Sequence, residues 1–180
     1  AGKFSIFGLG GLSDIDFLGS EIDETDLFAD PNEDAFPRSQ LGILGVKHNY
    51  LLNESTYIRT VAMGSISRNT YIQDNFLPDG TTYRATDVED MNNSYTITSF
   101  INKKFNARFN ARAGVTSQTF YLSTFVDNRD ENPDLDEDGI PDLQRERDFN
   151  GYLPLLQTFV QTQFKINNRL TLNTGLHAQL

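Results

Sequence analysis

The chain has 180 residues, of which 38% are hydrophobic, with no cysteine, no tryptophan and a formal net charge of −10. The lack of cysteine excludes disulfides and thiolate metal sites, and the acidity disfavours nucleic-acid binding. No apolar run approaches the roughly 20 residues of a membrane-spanning helix, and the first residues, AGKFSIFGLGG, lack a signal-peptide pattern. A membrane location would therefore require a β-barrel, since only helices and closed barrels satisfy all backbone polar groups in lipid.

Acidic residues are concentrated in three segments of the chain. Residues 12–39, 74–93 and 127–148 hold 9, 5 and 10 acidic residues, which together are 24 of the 25 present. The same segments hold only 5 of the 15 basic residues. A soluble β-sandwich has no reason to sort its charges in this way, because the polar faces of its strands accept Asp and Glu as readily as Lys and Arg.

Seven strands are predicted along the chain. In order, they cover about residues 2–12, 40–52 and 56–73, then a hairpin of two strands over 94–121, and finally 151–166 and 170–180. In the second half of the hairpin, apolar or small residues alternate with Arg, Asn and Gln, which gives a strand one apolar and one polar face. This strand is expected to run for about 14 residues, far beyond the roughly 5 to 6 of most soluble strands.

The predicted connections alternate strictly between long and short. The acidic segments form the long ones, and turns at residues 53–55, 103–105 and 167–169 form the short ones. Outer-membrane barrels have this asymmetry, with longer extracellular loops and short periplasmic turns. Tyrosines near predicted strand ends suggest interfacial aromatic girdles. These are Tyr50, Tyr57, Tyr71, Tyr95, Tyr121 and Tyr152.

The predicted fold is all-β, an antiparallel up-and-down transmembrane β-barrel segment of about seven strands. Seven is an odd number, whereas bacterial single-chain barrels have even numbers, and the last predicted strand is still running at Leu180. We therefore interpret residues 1–180 as part of one larger outer-membrane barrel domain whose remaining strands are not in this sequence.

The chain resembles the barrel of a TonB-dependent outer-membrane receptor. The resemblance spans all 180 residues and rests on the long two-faced strands, the stretch FSIFGLGGLSDIDFLG, the turns LLNES and FKINNR, and the loop DLDEDGIPD. It implies a barrel of about 22 strands, with a plug domain and a TonB-contacting segment that are not in this sequence. It also implies uptake of a siderophore, vitamin, oligosaccharide or peptide across the outer membrane of a Gram-negative bacterium. Outer-membrane lipid, lipopolysaccharide and TonB are the implied partners.

The sharpest local motif is the DLDEDGIPD loop at residues 134–142. Alternate carboxylates followed by glycine resemble the first half of a calcium-binding EF-hand loop, but Arg145 stands where that loop has its bidentate Glu. The spacing is closer to the short DxDxDGxxD loops of thrombospondin type 3 repeats. The alternative is a solvated acidic loop whose Asp-Gly pair is only a turn. The predicted Ca²⁺ ligands are Asp134, Asp136, Asp138, the carbonyl of Ile140, and Asp142.

Arg108 and Arg112 are expected on one face of the fifth predicted strand, with Lys47 of the second strand beside them. We interpret these three residues as facing the barrel lumen, because a charge near the middle of the lipid face costs about 2 to 4 kcal/mol. They would either guide anionic solutes or pair with carboxylates of a plug.

No catalytic site is predicted. His48 and His177 lie on different predicted strands without a nearby carboxylate, and the chain has neither a nucleophile elbow nor a phosphate-binding glycine loop. We therefore expect a binding and transport protein rather than an enzyme. The alternative is a soluble or surface-anchored calcium-binding β-domain that acts as an adhesin or glycan-binding module.

Overall fold

The computed structural model describes residues 2–21, 30–129, 140 and 142–180. These residues form one antiparallel sheet and a short 3-10 turn at Gly19–Glu21. Among them, no helix is long and apolar enough to cross a membrane. The strands are β1 (Gly2–Asp14), β2 (Phe17–Leu18), β3 (Glu33–Ala35), β4 (Arg38–Asn53), β5 (Thr56–Phe76), β6 (Thr82–Lys104), β7 (Phe109–Arg129), β8 (Leu143–Lys165) and β9 (Thr171–Gln179).

The long strands lie side by side in chain order, β1-β4-β5-β6-β7-β8-β9. Short strands β2 and β3 pair with each other, and β3 also pairs with β5. All these pairings are antiparallel. This order confirms the predicted all-β, up-and-down arrangement.

The strands extend well into the acidic segments, which the sequence analysis placed in long loops. Strand β6 begins at Thr82 rather than near residue 94, β7 continues to Arg129, and β8 begins at Leu143. Opposite charges face each other across these extensions, as in the pairs Arg68–Glu89 and Arg84–Asp74. Such cross-strand pairs stabilise a sheet, so the acidic composition did not prevent strand formation.

The connection between β5 and β6 is a tight turn at residues 77–81. The Leu77 N–H donates to the carbonyl of Thr81 at 2.9 Å, and the Gly80 N–H donates to the carbonyl of Leu77 at 2.8 Å. Gly80 has a φ of 86°, a conformation that glycine adopts readily. The predicted strict alternation of long and short connections is therefore wrong at this position.

The strand register gives the sheet two chemically different faces. Side chains that pair across neighbouring strands point to the same side, while successive residues of a strand point to opposite sides. The polar face carries Lys47, Arg59, Thr98, Arg112 and Gln161, and the apolar face carries Val46, Ile58, Ile97, Val115 and Val160.

The sheet does not build a conventional hydrophobic core. Ala35 is the one buried apolar residue in the described part of the chain, whereas Ile6, Leu12 and Leu176 on the apolar face are 76%, 80% and 81% exposed. A soluble chain of this length removes roughly 70% of its unfolded surface from water. The apolar face therefore lies open on the outside of a single layer.

Exposure alternates with the two faces. On β6, Ser94 and Thr96 of the polar face are buried, while the intervening Tyr95 and Ile97 of the apolar face are 64% and 57% exposed. In a curved sheet, side chains crowd together on the concave side and splay apart on the convex side. The polar face is therefore the concave one.

Candidate functional site

Aromatic rings and guanidinium groups alternate across the polar face from β5 to β8. The Cζ atom of Arg59 lies 5.7 Å from the ring centroids of both Tyr57 and Phe100. The Cζ atom of Arg112 lies 5.1 Å from the Phe100 centroid and 5.6 Å from that of Phe159. Both arginines therefore make cation–π contacts with the same Phe100 ring, one from each side along the row.

Gly114 provides the space in which this row is packed. Its register partners are Phe100 on β6 and Phe159 on β8. A Cβ atom at Gly114 would lie 2.5 Å from the Cβ of Phe100, 2.7 Å from the carbonyl oxygen of Ser99 and 2.8 Å from the Cζ of Phe159. Only glycine lets both rings lie over this point of β7.

Neutral side chains orient the two arginines. The Nε of Arg59 donates to the Oδ1 of Asn49 at 2.6 Å, and the Nη2 of Arg112 donates to the Oε1 of Gln161. Neither arginine is among the residues that form salt bridges in the described part of the structure. Their positive charges are therefore not neutralised by a carboxylate there.

Two lysines extend this row of charge on the polar face. Lys3 on β1 pairs with Asn49, the residue that pairs with Arg59, and Lys47 on β4 lies two residues from Asn49 along its strand. We name these four cations the basic row. Its members are Lys3, Lys47, Arg59 and Arg112.

Arg112 lies where two concave spaces of the polar face meet. One has a volume of about 480 Å³ and the other of about 540 Å³, and both are lined by Arg112, Gln161 and Gly175. The Oδ1 atom of Asn110, in the first space, is buried and has no hydrogen-bond partner. The further polar residues of the two spaces are Asn102, Gln163 and Asn173 in the first, and Thr116, Gln157 and His177 in the second.

Comparison of the chain with protein-family models, with curated proteins and with solved structures finds no match. The resemblance to TonB-dependent receptors therefore stays a prediction. The fold and the chemistry of the two faces carry the functional proposal.

Two of the three residues predicted to face a lumen lie on the polar face. Lys47 and Arg112 share that face, whereas Arg108 lies in the turn before β7 begins at Phe109. The Oδ1 of Asn106 accepts the backbone N–H groups of Arg108 and Phe109, at 2.8 and 2.9 Å. Arg108 therefore lies in the turn, one residue before the strand, and its lumen-facing role stays a prediction.

The sequence analysis missed Arg59 and the two phenylalanines of the site. Arg59 and Phe100 lie on different strands and come together only through the register of β5 with β6. Phe159 reaches them through the register of β7 with β8. The alternation of Arg59 with Ile58 and Thr60 was a usable signal for its face, but no local signal gives its ring partners.

The predicted calcium loop lies mainly outside the described residues. This holds for Asp134, Asp136 and Asp138, whereas Ile140 and Asp142 are described. Within the residues that the structure describes, no group of three or more His, Cys, Asp or Glu side chains could hold a metal ion. The loop stays a prediction.

The end of the sheet opposite the basic row carries paired charges, and we name it the acidic end. The Nε of Arg84 lies 2.5 Å from the Oδ1 of Asp74, and its Nη1 lies 3.3 Å from the Oδ2 of Asp87. Arg145 forms salt bridges with Asp127 and Asp148. The hydrogen bonds that Arg145 donates to the Asp127 carboxylate raise the pKa of its guanidinium above its usual value. The other arginines paired there are Arg38, with Asp14 and Asp16, and Arg68, with Glu89.

The tyrosines divide between the faces. The register places Tyr50, Tyr95, Tyr121 and Tyr152 on the apolar face, and the last two have ring centroids 5.0 Å apart. Tyr57 and Tyr71 lie on the polar face instead. Side-chain direction is set by position parity within the strand, so two of the six tyrosines cannot belong to a girdle on the apolar face.

Proposed function

We propose that this chain is part of an outer-membrane β-barrel, a TonB-dependent receptor or transporter that takes up a nutrient across the outer membrane of a Gram-negative bacterium. One observation carries the proposal: each long strand has a continuous stretch without Asp, Glu, Lys or Arg on its apolar face. These stretches are residues 2–12 of β1, 40–52 of β4, 56–66 of β5, 91–101 of β6, 109–125 of β7, 150–164 of β8 and 172–178 of β9.

Six of these seven stretches have nine or more residues, a length that suits a bilayer. A tilted strand needs about 9 to 11 residues to cross the hydrocarbon core. On β5 the apolar face is uncharged from Thr56 to Ile66, and the next residue on that face is Arg68, paired with Glu89. Lipid would cover the large exposed side chains that no other described part of the chain covers.

The polar face opposite these uncharged stretches suits a water-filled lumen. Barrels of this class are apolar outside and polar inside. The polar face is concave and carries the basic row and many Asn, Gln and Thr side chains. In a closed barrel, further strands would pair with β1 and β9, so that no strand edge lies in lipid.

The ends of the sheet suit the two sides of that membrane. We assign the acidic end to the outside, where its loops would meet lipopolysaccharide and the predicted calcium loop would lie. The short turns, which carry Arg108 and Arg169, would face the periplasm. TonB and a plug domain are the further partners that this function requires.

The native protein tests this proposal. An antibody raised against residues 127–148 would be used on outer-membrane and soluble fractions of the source cells. We expect an outer-membrane band several times larger than this chain, which migrates differently after heating in detergent. A soluble species of the chain's own size would overturn the proposal and favour the calcium-binding adhesin or glycan-binding domain.

A further inference from the structure

We propose that the polar face binds hydroxylated anions, such as oligomers of sugar acids, at the basic row and the two concave spaces beside Arg112. This inference rests on the proposed transport function and adds the chemical class of the solute. Two properties of the site carry it, namely positive charge without a neutralising carboxylate and hydrogen-bonding groups that match hydroxyls.

The stretches of the apolar face without Asp, Glu, Lys or Arg form an uncharged band across the sheet, and the positive charge of Arg59 and Arg112 lies at its level. Arg59 lies between Ile58 and Thr60 along β5, and Arg112 lies between Ala111 and Ala113 along β7. A lumen wall backed by apolar side chains and lipid has a lower dielectric than open water, which strengthens its attraction for anions. Rings of Arg and Lys give pores a preference for anionic solutes in the same way.

The geometry leaves guanidinium donors available. Each guanidinium has five N–H donors, and Arg112 gives one of them to Gln161. The two arginines lie within 5.7 and 5.1 Å of one ring centroid, so their Cζ atoms are no farther apart than the sum of these distances. They are two strands apart, or about 10 Å. An oligomer with a carboxylate on successive units could contact both.

Hydroxyl groups match the amides around Arg112. Asn102, Gln163 and Asn173 line the first space, and each side-chain amide both donates and accepts hydrogen bonds. A hydroxyl can donate to one amide oxygen and accept from a neighbouring amide N–H group, whereas a carboxylate can only accept. The volume of about 480 Å³ lies in the range of small-molecule sites, about 300 to 1,000 Å³.

The test measures binding by isothermal titration calorimetry to the native outer-membrane protein that contains this chain, reconstituted in lipid vesicles. The probes are trigalacturonate, neutral maltotriose of the same length, and a peptide of three aspartates that lacks sugar hydroxyls. We expect trigalacturonate to bind more tightly than either control. The double variant Arg59→Gln/Arg112→Gln should weaken trigalacturonate binding by at least about tenfold.

The matched control is Arg108→Gln/Arg169→Gln, which removes the same charge from the short turns. It should change the affinity by less than about twofold, since exposed turn charges are screened. Gln163→Ala should weaken trigalacturonate binding and leave the weak peptide binding unchanged. If the first double variant does not insert, its two single variants replace it, each with an expected loss of at least about threefold.

Vesicle flotation separates failure of this inference from failure of the proposed function. A native protein that does not float with vesicles overturns the transport function itself. A chain that inserts but does not bind trigalacturonate, or that loses affinity equally in both double variants, overturns only the inference. Equal binding of maltotriose overturns the role of charge, and equal binding of the peptide overturns the role of hydroxyls and points to an acidic protein segment.

Discussion

The two ends of the sheet differ in whether carboxylates contact their arginines, although Arg145 at the acidic end also lies 4.9 Å from the Phe125 ring centroid. At the acidic end, Arg84 and Arg145 each contact two carboxylates. In the basic row, Arg59 and Arg112 contact aromatic rings and neutral amides instead. The first arrangement neutralises the guanidinium and joins neighbouring strands, whereas the second holds it in place and leaves its charge for another molecule.

The surroundings explain this difference. The acidic end lies beyond the uncharged band, where strands in water are held together by opposite charges across the sheet. The basic row lies on the concave face, with the apolar face directly behind it. An arginine there stabilises the sheet through its ring contacts, each worth about 0.5 to 1 kcal/mol at exposed sites. The comparison predicts that the effect of adding a charged residue depends on the face of the sheet on which it lies and on whether it lies within the uncharged band.

A charge on the apolar face should have the largest effect. Ile97→Arg places a guanidinium within the uncharged band of β6 and should lower the free energy of unfolding in vesicles by about 2 to 4 kcal/mol. Asn92→Arg, an exposed position on the polar face of the same strand, is the matched control and should have little effect. Urea titrations followed by far-UV circular dichroism measure both. Equal losses would remove the distinction between the faces.

Closing the space at Gly114 should have the next largest effect. Gly114→Ala puts a methyl group against Phe100, Ser99 and Phe159, and such overpacking costs about 1 to 3 kcal/mol. Gly11→Ala is the control, because a Cβ there meets nothing within 4 Å. The same urea titrations measure the difference. If Gly114→Ala is as stable as Gly11→Ala, the rings do not pack over β7 as described.

Removing a side-chain hydrogen bond from a short turn should have the third largest effect on stability. The Oδ1 of Asn106 accepts two backbone N–H groups, and that of Asn167 accepts those of Arg169 and Leu170 at 2.8 and 2.9 Å. Asn106→Ala and Asn167→Ala should each lose about 1 kcal/mol of unfolding free energy. Asn168→Ala in the second turn is the control. Unequal losses from the two variants would contradict a shared turn structure.

Substitutions of carboxylate-paired and ring-contacting arginines should have smaller effects on stability, and these effects should differ in their dependence on salt. Arg84→Gln removes exposed ion pairs, so it should cost no more than about 1 kcal/mol, and less at high ionic strength. Arg59→Gln removes ring contacts, whose loss should depend less on salt. Unfolding titrations at low and high NaCl concentration test this. The same salt dependence for both variants would contradict the comparison.

The smallest effect concerns Tyr71, which lies beyond the uncharged band. Burial, followed by the nearby Glu33 carboxylate, raises the pKa of its hydroxyl above 10.0. The folded state then retains the proton longer than the unfolded state, so this stabilisation is full below pH 10 and is lost as pH rises through the folded-state pKa. Ultraviolet titration of the wild type and Tyr71→Phe should differ by one late-titrating tyrosine. Absence of that late step would contradict the packing around Tyr71.

Period-two alternation was enough to predict the strands and the faces of Lys47 and Arg112, because side-chain direction follows from position along a strand. Strand ends were not predictable in the same way, since the extension of β6 to Thr82 depends on partners across the sheet. The site around Phe100 also could not be predicted from the sequence, because it combines residues from four strands. Its assembly depends on register, which no single segment encodes.

Accessibility along β6 tests the central claim most directly. The chain has no cysteine, so single-cysteine variants at residues 95–100 can each carry one spin label without competing thiols. In vesicles, labels at Tyr95, Ile97 and Ser99 should be relaxed mainly by lipid-soluble oxygen, and those at Thr96, Thr98 and Phe100 by a water-soluble nickel complex. This alternation is the result that the account predicts. Equal access of the nickel complex to all six positions would contradict it.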